Sequence, residues 1–361
     1  NEEIFKIIDF ATEKNLKILA VGSSLSWYDT IFNTNNIIIN LNNYDKTFLF
    51  DEKNGILTVG PSYKIYEVLD KINKYGWSIY SIPGSLDVTI AGCISNDVHG
   101  KDTFKFGNFG ESVVEIEIIL SNKDIITCSK EKNKEIFKSV IGGLGLIGII
   151  TKVKLKLKKI NSFYETTNHV CNNYNEVIKE LYFQRENYDY IFGWIDTFAQ
   201  KKELGRGIVF KAKKYFKLKK KLIFRGNFVF NLKGKLQEKI FSFCIKNNLV
   251  KYLNIVFLKS FLLKKRNISS YEEITYPLTS YGIDIKKMIH PYSFFEVQII
   301  LNENTLPESL SEFIKKCQSL QLNGFVIGIK MHKKSDKYLS FAEDGVSINI
   351  NQIFKKENEK E

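Results

Sequence analysis

The sequence predicts an α+β protein of two domains, on three observations. At 361 residues the chain is longer than one hydrophobic core usually serves. Helical and strand patterns alternate up to residue 158, and from 159 the chain turns aromatic, basic and strand-rich. A hydrophobic content of 44% beside 26% charged residues fits a folded chain rather than a disordered one. The expected division is a first domain over 1–158 and a second over 159–344 built on an antiparallel sheet. A return segment with a charged tail is expected over 345–361.

The first domain opens on an amphipathic helix carrying Ile4, Ile7, Ile8, Phe10 and Ala11. A strand, "KILAVG", runs into a small-residue turn, "GSSLS", and a second strand, "NIIINL". "TFLFD" and "GILTVG", joined through Glu52–Gly55, read as a hairpin, and "KIYEVLDKINKYG" as an amphipathic helix. "PGSLDVTIAGCISN" reads as a small-residue loop that starts on a Pro83-Gly84 turn. "VVEIEIIL" and "DIITCS" form a second hairpin, and the helix "EIFKSVIG" follows. "GGLGLIG" then leads into the alternating strand "IITKVKLKLKKI". In the second domain "YIFGWIDTF", "RGIVFKA", "FFEVQIIL" and "GFVIGIKM" read as strands, with helices expected at 235–248 and 306–321.

Several function classes drop out. No run of about 18 apolar residues exists, so no helix is expected to span a membrane. The sequence opens on Asn1 rather than Met, so an upstream piece, a leader included, is beyond its reach. Cys93, Cys128, Cys171, Cys244 and Cys317 form no C-x-x-C pair, and His99, His169, His290 and His332 lack metal-ligand spacing. No metal is expected, and the thiols read as free in a reducing compartment. "GSSLS" is not a P-loop. Gly143, Gly145 and Gly148 have G-x-G-x-x-G spacing but open a strand, and no acid follows about 20 residues on, so the Rossmann reading fails. What remains is a phosphate and ring site made of backbone amides from three small-residue loops.

The net charge of +13 is concentrated: from Lys211 to Arg225 eight of fifteen residues are basic and none is acidic. That patch suits an anionic partner, a solvated face being the plainer alternative. "LVKYLNIVFLKSFLLKKRN" (Leu249–Asn267) is apolar and ends on Lys264-Lys265-Arg266, a pattern for a membrane interface or for a core helix with solvated lysines. A nucleic-acid-binding protein using the patch with Tyr215 and Phe216 is the alternative of another class, and no nucleic-acid motif supports it.

The order of the motifs carries a resemblance. "AVGSSLSWYD", "GILTVGPSYKIYEVLDKINKYGWSI", "IPGSLDVTIAGCISNDVHGKD", "FGNFGESVVEIEIIL" and "IGGLGLIGIITKVKLKL" resemble the two-subdomain FAD-binding domain of the vanillyl-alcohol-oxidase superfamily, the PCMH type. "NDVHGKD", "FGNFG", "WIDTFAQKKELGRGIV", "TYPLTSYG", "FFEVQIIL" and "GFVIGIKMHKKSDKYLSF" are most similar to its decaprenylphosphoryl-ribose oxidase branch. The resemblance implies an FAD-dependent oxidoreductase that moves a hydride from a secondary alcohol of a sugar to flavin N5. A polyprenyl-phosphate-linked pentose is the implied substrate. It further implies a separate keto-reductase partner, a part in cell-envelope synthesis, and a cytoplasmic site at the inner membrane surface.

Carried over by position, the resemblance implies that Ala20, Val21, Gly22, Ser23, Ser24, Leu25, Ser26 and Trp27 cradle the FAD diphosphate. Gly84, Thr89, Ile90, Ala91, Gly92, Asn96, Asp97, Val98 and His99 would line the flavin and diphosphate, and Ile150 would reach the adenine side. Gln298, Tyr276 and Lys330 would face the substrate, with His99 and Lys330 as the catalytic pair. An imidazole can relay the hydroxyl proton at neutral pH; a loop-fixing histidine held through Asp97 is its structural alternative. Leu25 stands where some members carry the histidine that bonds FAD, so noncovalent FAD is implied. Tyr276 stands where some members carry histidine, and Asn349 near a position that is cysteine in them. Members also continue into a final segment with another active-site lysine, so this sequence is expected to be a fragment or an impaired remnant.

Overall fold

A computed structural model describes residues 1–26, 30–216, 232–262, 266–277, 289–290, 292–324 and 327–354. Helix α1 (Glu2–Glu13) buries Ile4, Ile8 and Ala11, one turn apart, and places Glu2 and Glu3 at its positive end. Strands β1 (Ile18–Val21) and β2 (Ile37–Asn40) pair in parallel beneath it. The hairpin of β3 (Phe48–Asp51) and β4 (Ile56–Val59) turns on Gly55, whose φ of +64° is a conformation that glycine adopts without strain. Helix α2 (Ile65–Ile72) and the short strand β5 (Trp77–Ser78) follow.

The stretch read as a loop at Ile90–Ser95 is instead a helix, α3, because Thr89 caps it by accepting from the Gly92 N–H at 3.2 Å. After α4 (Thr103–Phe106) come the hairpin of β6 (Val113–Ile119) and β7 (Ile125–Ser129), helix α5 (Lys134–Val140), and strands β8 (Ile149–Lys156) and β9 (Lys158–Lys159). The sheet of this domain runs β3-β4-β8-β6-β7, and β9 closes back on β5.

The second domain consists of β10 (Phe163–Cys171), α6 (Tyr174–Tyr182), β11 (Tyr190–Ile195), β12 (Gly207–Lys214), α7 (Leu232–Lys246), α8 (Val250–Leu262), β13 (Arg266–Ser270), α9 (Tyr271–Thr275), β14 (Ser293–Asn302), α10 (Leu306–Ser319), β15 (Gly328–His332) and β16 (Gly345–Phe354). Its seven strands lie in the order β13-β10-β12-β11-β15-β16-β14, and every pair is antiparallel. Residues 345–354, expected in a return segment, are therefore a strand of this sheet. Val346, Ile348 and Ile350 alternate with Ser347, Asn349 and Asn351, and alternation is what a sheet with two unlike faces requires.

One face of the sheet packs Ile191, Ile195, Val209, Ile329, Met331 and the apolar residues of β16 on α6 and α10. The other face presents Phe192, Trp194 and Phe210 toward the first domain and α8. The first domain's core continues into the second through Tyr164, Tyr190, Tyr271 and Tyr276. Among the described residues no helix is long and apolar enough to cross a membrane.

Candidate active site

Three small-residue loops of the first domain converge. A Cβ at Gly22 would lie 2.3 Å from Thr89 Oγ1, so the "GSSLS" turn sits directly on the α3 cap. Ser23 Oγ donates to the Asp87 carbonyl at 2.5 Å. From the third loop, the Gly142 N–H donates to Ile94 O at 2.9 Å and the Leu144 N–H to Ser95 O at 2.8 Å. Ser24, Leu25, Ser26 and Gly84 stay exposed, and a Cβ at Gly84 would meet nothing within 4 Å. The result is an open cradle of backbone amides and hydroxyls.

Beyond α3 the chain reaches the second domain. His99 Nδ1 lies 2.8 Å from Lys330 Nζ, and His99 Nε2 lies 3.1 Å from Gln298 Oε1. An ammonium only donates, so Nδ1 accepts and Nε2–H donates to the Gln298 carbonyl oxygen. Gln298 Nε2 in turn donates to Ser347 Oγ at 3.1 Å, and His332 Nε2 meets the same hydroxyl at 2.9 Å. Period-two geometry explains this layer: Lys330 and His332 on β15, Gln298 on β14 and Ser347 on β16 share the sheet face that looks toward His99. Phe341 packs against both imidazoles, with centroids 5.4 Å from His99 and 5.7 Å from His332.

The cluster is cationic and deep. Lys101 donates to the Thr275 carbonyl at 2.5 Å and lies 5.2 Å from the centre of the Phe192 ring. Burial, with the charge of Lys330, pulls its amine down to about 7. Burial likewise pulls Lys330 to about 8, against the opposing pull of Glu296 and Asp102. Burial first, then Lys330 and His332, holds His99 well below the usual imidazole range, and burial plus Lys330 takes His332 to about 3. Both histidines are neutral at pH 7. His99, Lys101 and Lys330 nonetheless keep some accessible surface. His332 Nδ1 is buried without a hydrogen-bond partner among the described residues.

Not every expected residue joins this cluster. Asp97 accepts from the Gly110 N–H at 2.8 Å and from Ser340 Oγ at 2.6 Å, so its carboxylate braces loops rather than pointing at a ligand. It does not hold His99, whose partners are Lys330 and Gln298. Asn96 caps α3 and donates to Gly92 O at 2.9 Å. Ile90 and Ile150 are core side chains, leaving only their backbone for a ligand. Tyr276 is buried beside Tyr271, its hydroxyl without a partner among the described residues, and burial raises that hydroxyl's pKa. Ala91, Gly92 and Val98 remain partly accessible, and Ala20, Val21 and Gly22 lead into the cradle. Asn349 Oδ1 accepts from the Gly328 N–H at 2.7 Å. Trp27 lies outside the described residues, as do Lys217–Arg225 and Lys264-Lys265. Lys211, counted in the basic patch, is buried 2.7 Å from Glu180.

The sequence reading missed Lys101, His332 and Ser347. Lys101 follows His99 by two residues and His332 follows Lys330 by two, so strand alternation was the available signal for His332.

A family model described as an FAD binding domain matches residues 1–129. A D-arabinono-1,4-lactone oxidase of Debaryomyces hansenii is 31% identical over 168 residues, 43% of this chain and 30% of that protein. A decaprenylphosphoryl-beta-D-ribose oxidase of Mycolicibacterium smegmatis is 24% identical over 212 residues, 58% of this chain and 46% of that protein. Cytokinin dehydrogenase 1 of Arabidopsis thaliana is 29% identical over 131 residues, 36% of this chain and 23% of that protein. Each match spans less than half the length of the relative. The residues present fit an FAD: an open cradle of small residues for the diphosphate leads to a buried cluster of His99, Lys101 and Lys330 that suits an electron-rich ring.

Proposed function

We propose that this chain, which belongs to the FAD-binding PCMH-type oxidoreductase family and takes FAD as its cofactor, oxidises a secondary hydroxyl of a sugar. The observation that carries this reading is the 2.8 Å contact of Lys330 with His99, which sets a titratable amine from the second domain at the end of the cofactor cradle. When bound, FAD supplies the acceptor for the hydride that leaves the carbinol carbon. The backbone of Gly22–Ser26, with Thr89, Ala91 and Gly92, holds its diphosphate and ring edge, and apolar Leu25 offers no atom for a covalent bond.

The chain's own residues handle the proton. Lys330, with an amine near 8, takes the hydroxyl proton. His99 stays neutral and fixes that amine through Nδ1, while Gln298 and Ser347 fix the ring from the other side. Lys101, whose amine burial lowers to about 7, stands beside the site as a hydrogen-bond donor held on the Thr275 carbonyl. Phe341 excludes water from the imidazole faces.

For the substrate, the match to the ribose oxidase runs over 212 residues, longer than the first domain, and so enters the substrate sheet. A polyprenyl-phosphate-linked pentose is our assignment, with a separate reductase as the consumer of the keto product. The test is anaerobic flavin absorbance of the purified chain. Bleaching with a polyprenylphosphoryl pentose supports the assignment, and bleaching only with D-arabinono-1,4-lactone moves it to a free sugar lactone. A yellow protein that neither compound bleaches ends the sugar-oxidase reading, and a colourless protein that shifts DNA ends the flavoprotein one.

A further inference from the structure

The helical hairpin of α7 and α8 has two sides of opposite character. Its inner side is packed: Ile245 and Val250 are buried with Ile289, and Asn254 donates to Asp196 at 2.9 Å. Phe257 meets Trp194 edge-on at 5.1 Å, and Phe261 meets Phe210 at 5.3 Å. The outer side carries exposed apolar side chains with no cover among the described residues. Leu236, Ile240 and Phe243 are 60%, 47% and 60% exposed, and their spacing of four and three puts them on one stripe of α7. Tyr252 and Val256, one turn apart on α8, are 63% and 65% exposed. Scattered apolar side chains on a surface need no explanation, but an ordered stripe of them does.

Charge says what covers it. Lys239, Lys246, Lys251 and Lys259 are exposed on the same two helices. From Leu204 to Tyr271 the sequence holds eighteen basic residues and one acid, Glu238. A second copy would bring the same positive field against itself, which opposes pairing. A surface of anionic lipid satisfies both halves of the pattern: its headgroups attract the lysines, and its acyl boundary takes Leu236, Ile240, Phe243 and Val256.

We propose that the exposed face of α7 and α8 docks the protein on an anionic bilayer surface. The docking does not depend on the flavin chemistry. Flotation of the full chain with phosphatidylcholine vesicles, with and without phosphatidylglycerol, tests it. The chain floats with the phosphatidylglycerol vesicles, less so in high salt, and stays down with phosphatidylcholine alone. The double variant Ile240→Asp/Phe243→Asp loses about tenfold or more in partitioning, with melting temperature and flavin content unchanged. No flotation on anionic vesicles, equal flotation on neutral ones, or undiminished flotation of the double variant overturns the proposal. So does a free chain that sediments as a dimer and becomes a monomer in the double variant, which would assign the face to a second copy.

Discussion

At the residue scale, the ring of His99 is fully committed, accepting from Lys330 at Nδ1 and donating to Gln298 at Nε2. A ring so held is a poor free base, and the low pKa that burial gives it points the same way. The proposed mechanism therefore gives proton transfer to Lys330, whose amine burial lowers to about 8. The base works unprotonated, so turnover should rise with pH through about 8 and fall as acid returns the proton. Lys330→Met should keep flavin absorbance, lose that rise, and drop turnover by about 10²–10⁴-fold. A pH–rate profile with single-turnover flavin reduction checks it; an unchanged profile in the variant removes Lys330 from the step. The motifs of the resemblance pointed to His99 and Lys330, which the structure brings together at 2.8 Å. The lowered pKa values were not, because they come from burial created by residues some 230 positions apart in the chain, as Lys330 and His99 are.

At the scale of elements, Ile149–Lys156 was readable because period-two alternation survives in "IITKVKLKL", whereas the same alternation in "VSININ" was passed over for a return segment. Helix α3 was not. Six residues are too few to show a helical period, and Ile90, Cys93 and Ile94 all turn inward to one core. What makes α3 a helix is its cap, Thr89, and Gly22 lying against that cap brings the first loop onto it. A valine at Gly22 would start with its Cβ 2.3 Å from Thr89 Oγ1, so either the loop or the cap must move. Gly22→Val should cost about 1–3 kcal/mol from overpacking, and a displaced cap adds about 1 kcal/mol. The sharper readout is flavin stoichiometry after gel filtration, which should fall well below that of the wild type. Full retention of flavin in Gly22→Val would mean that the first loop does not form the cradle.

At the scale of the molecule, the two domains are joined by polar clamps that no local pattern announces. Between β15 and β16 the chain crosses to the first domain. Lys337, buried, donates to Glu111 at 2.6 Å, Asp336 pairs with Lys138 at 3.1 Å, and Ser340 donates to Asp97 at 2.6 Å. Lys105 pairs with Asp189 at 2.9 Å and Ser78 bonds Tyr271 at 2.6 Å, so the clamps surround the site on several sides. In sequence, "KKSDKYLSF" is the end of a segment that carries the resemblance, and only the fold reveals that it brings Phe341 onto His99. Removing Lys337 leaves Glu111 with Lys130 and Asp336 with Lys138, so the loss is smaller than for a carboxylate stranded in the core. Lys337→Met should therefore lower stability by about 1–3 kcal/mol rather than prevent folding. Because the loop also seats Phe341, turnover should fall more than flavin content does, and amide exchange should quicken over residues 335–342 while the β8 amides keep their protection. If exchange in that loop is unchanged and turnover is preserved, the clamp does not set the position of the site, and the His99–Lys330 contact must be held by the sheet alone.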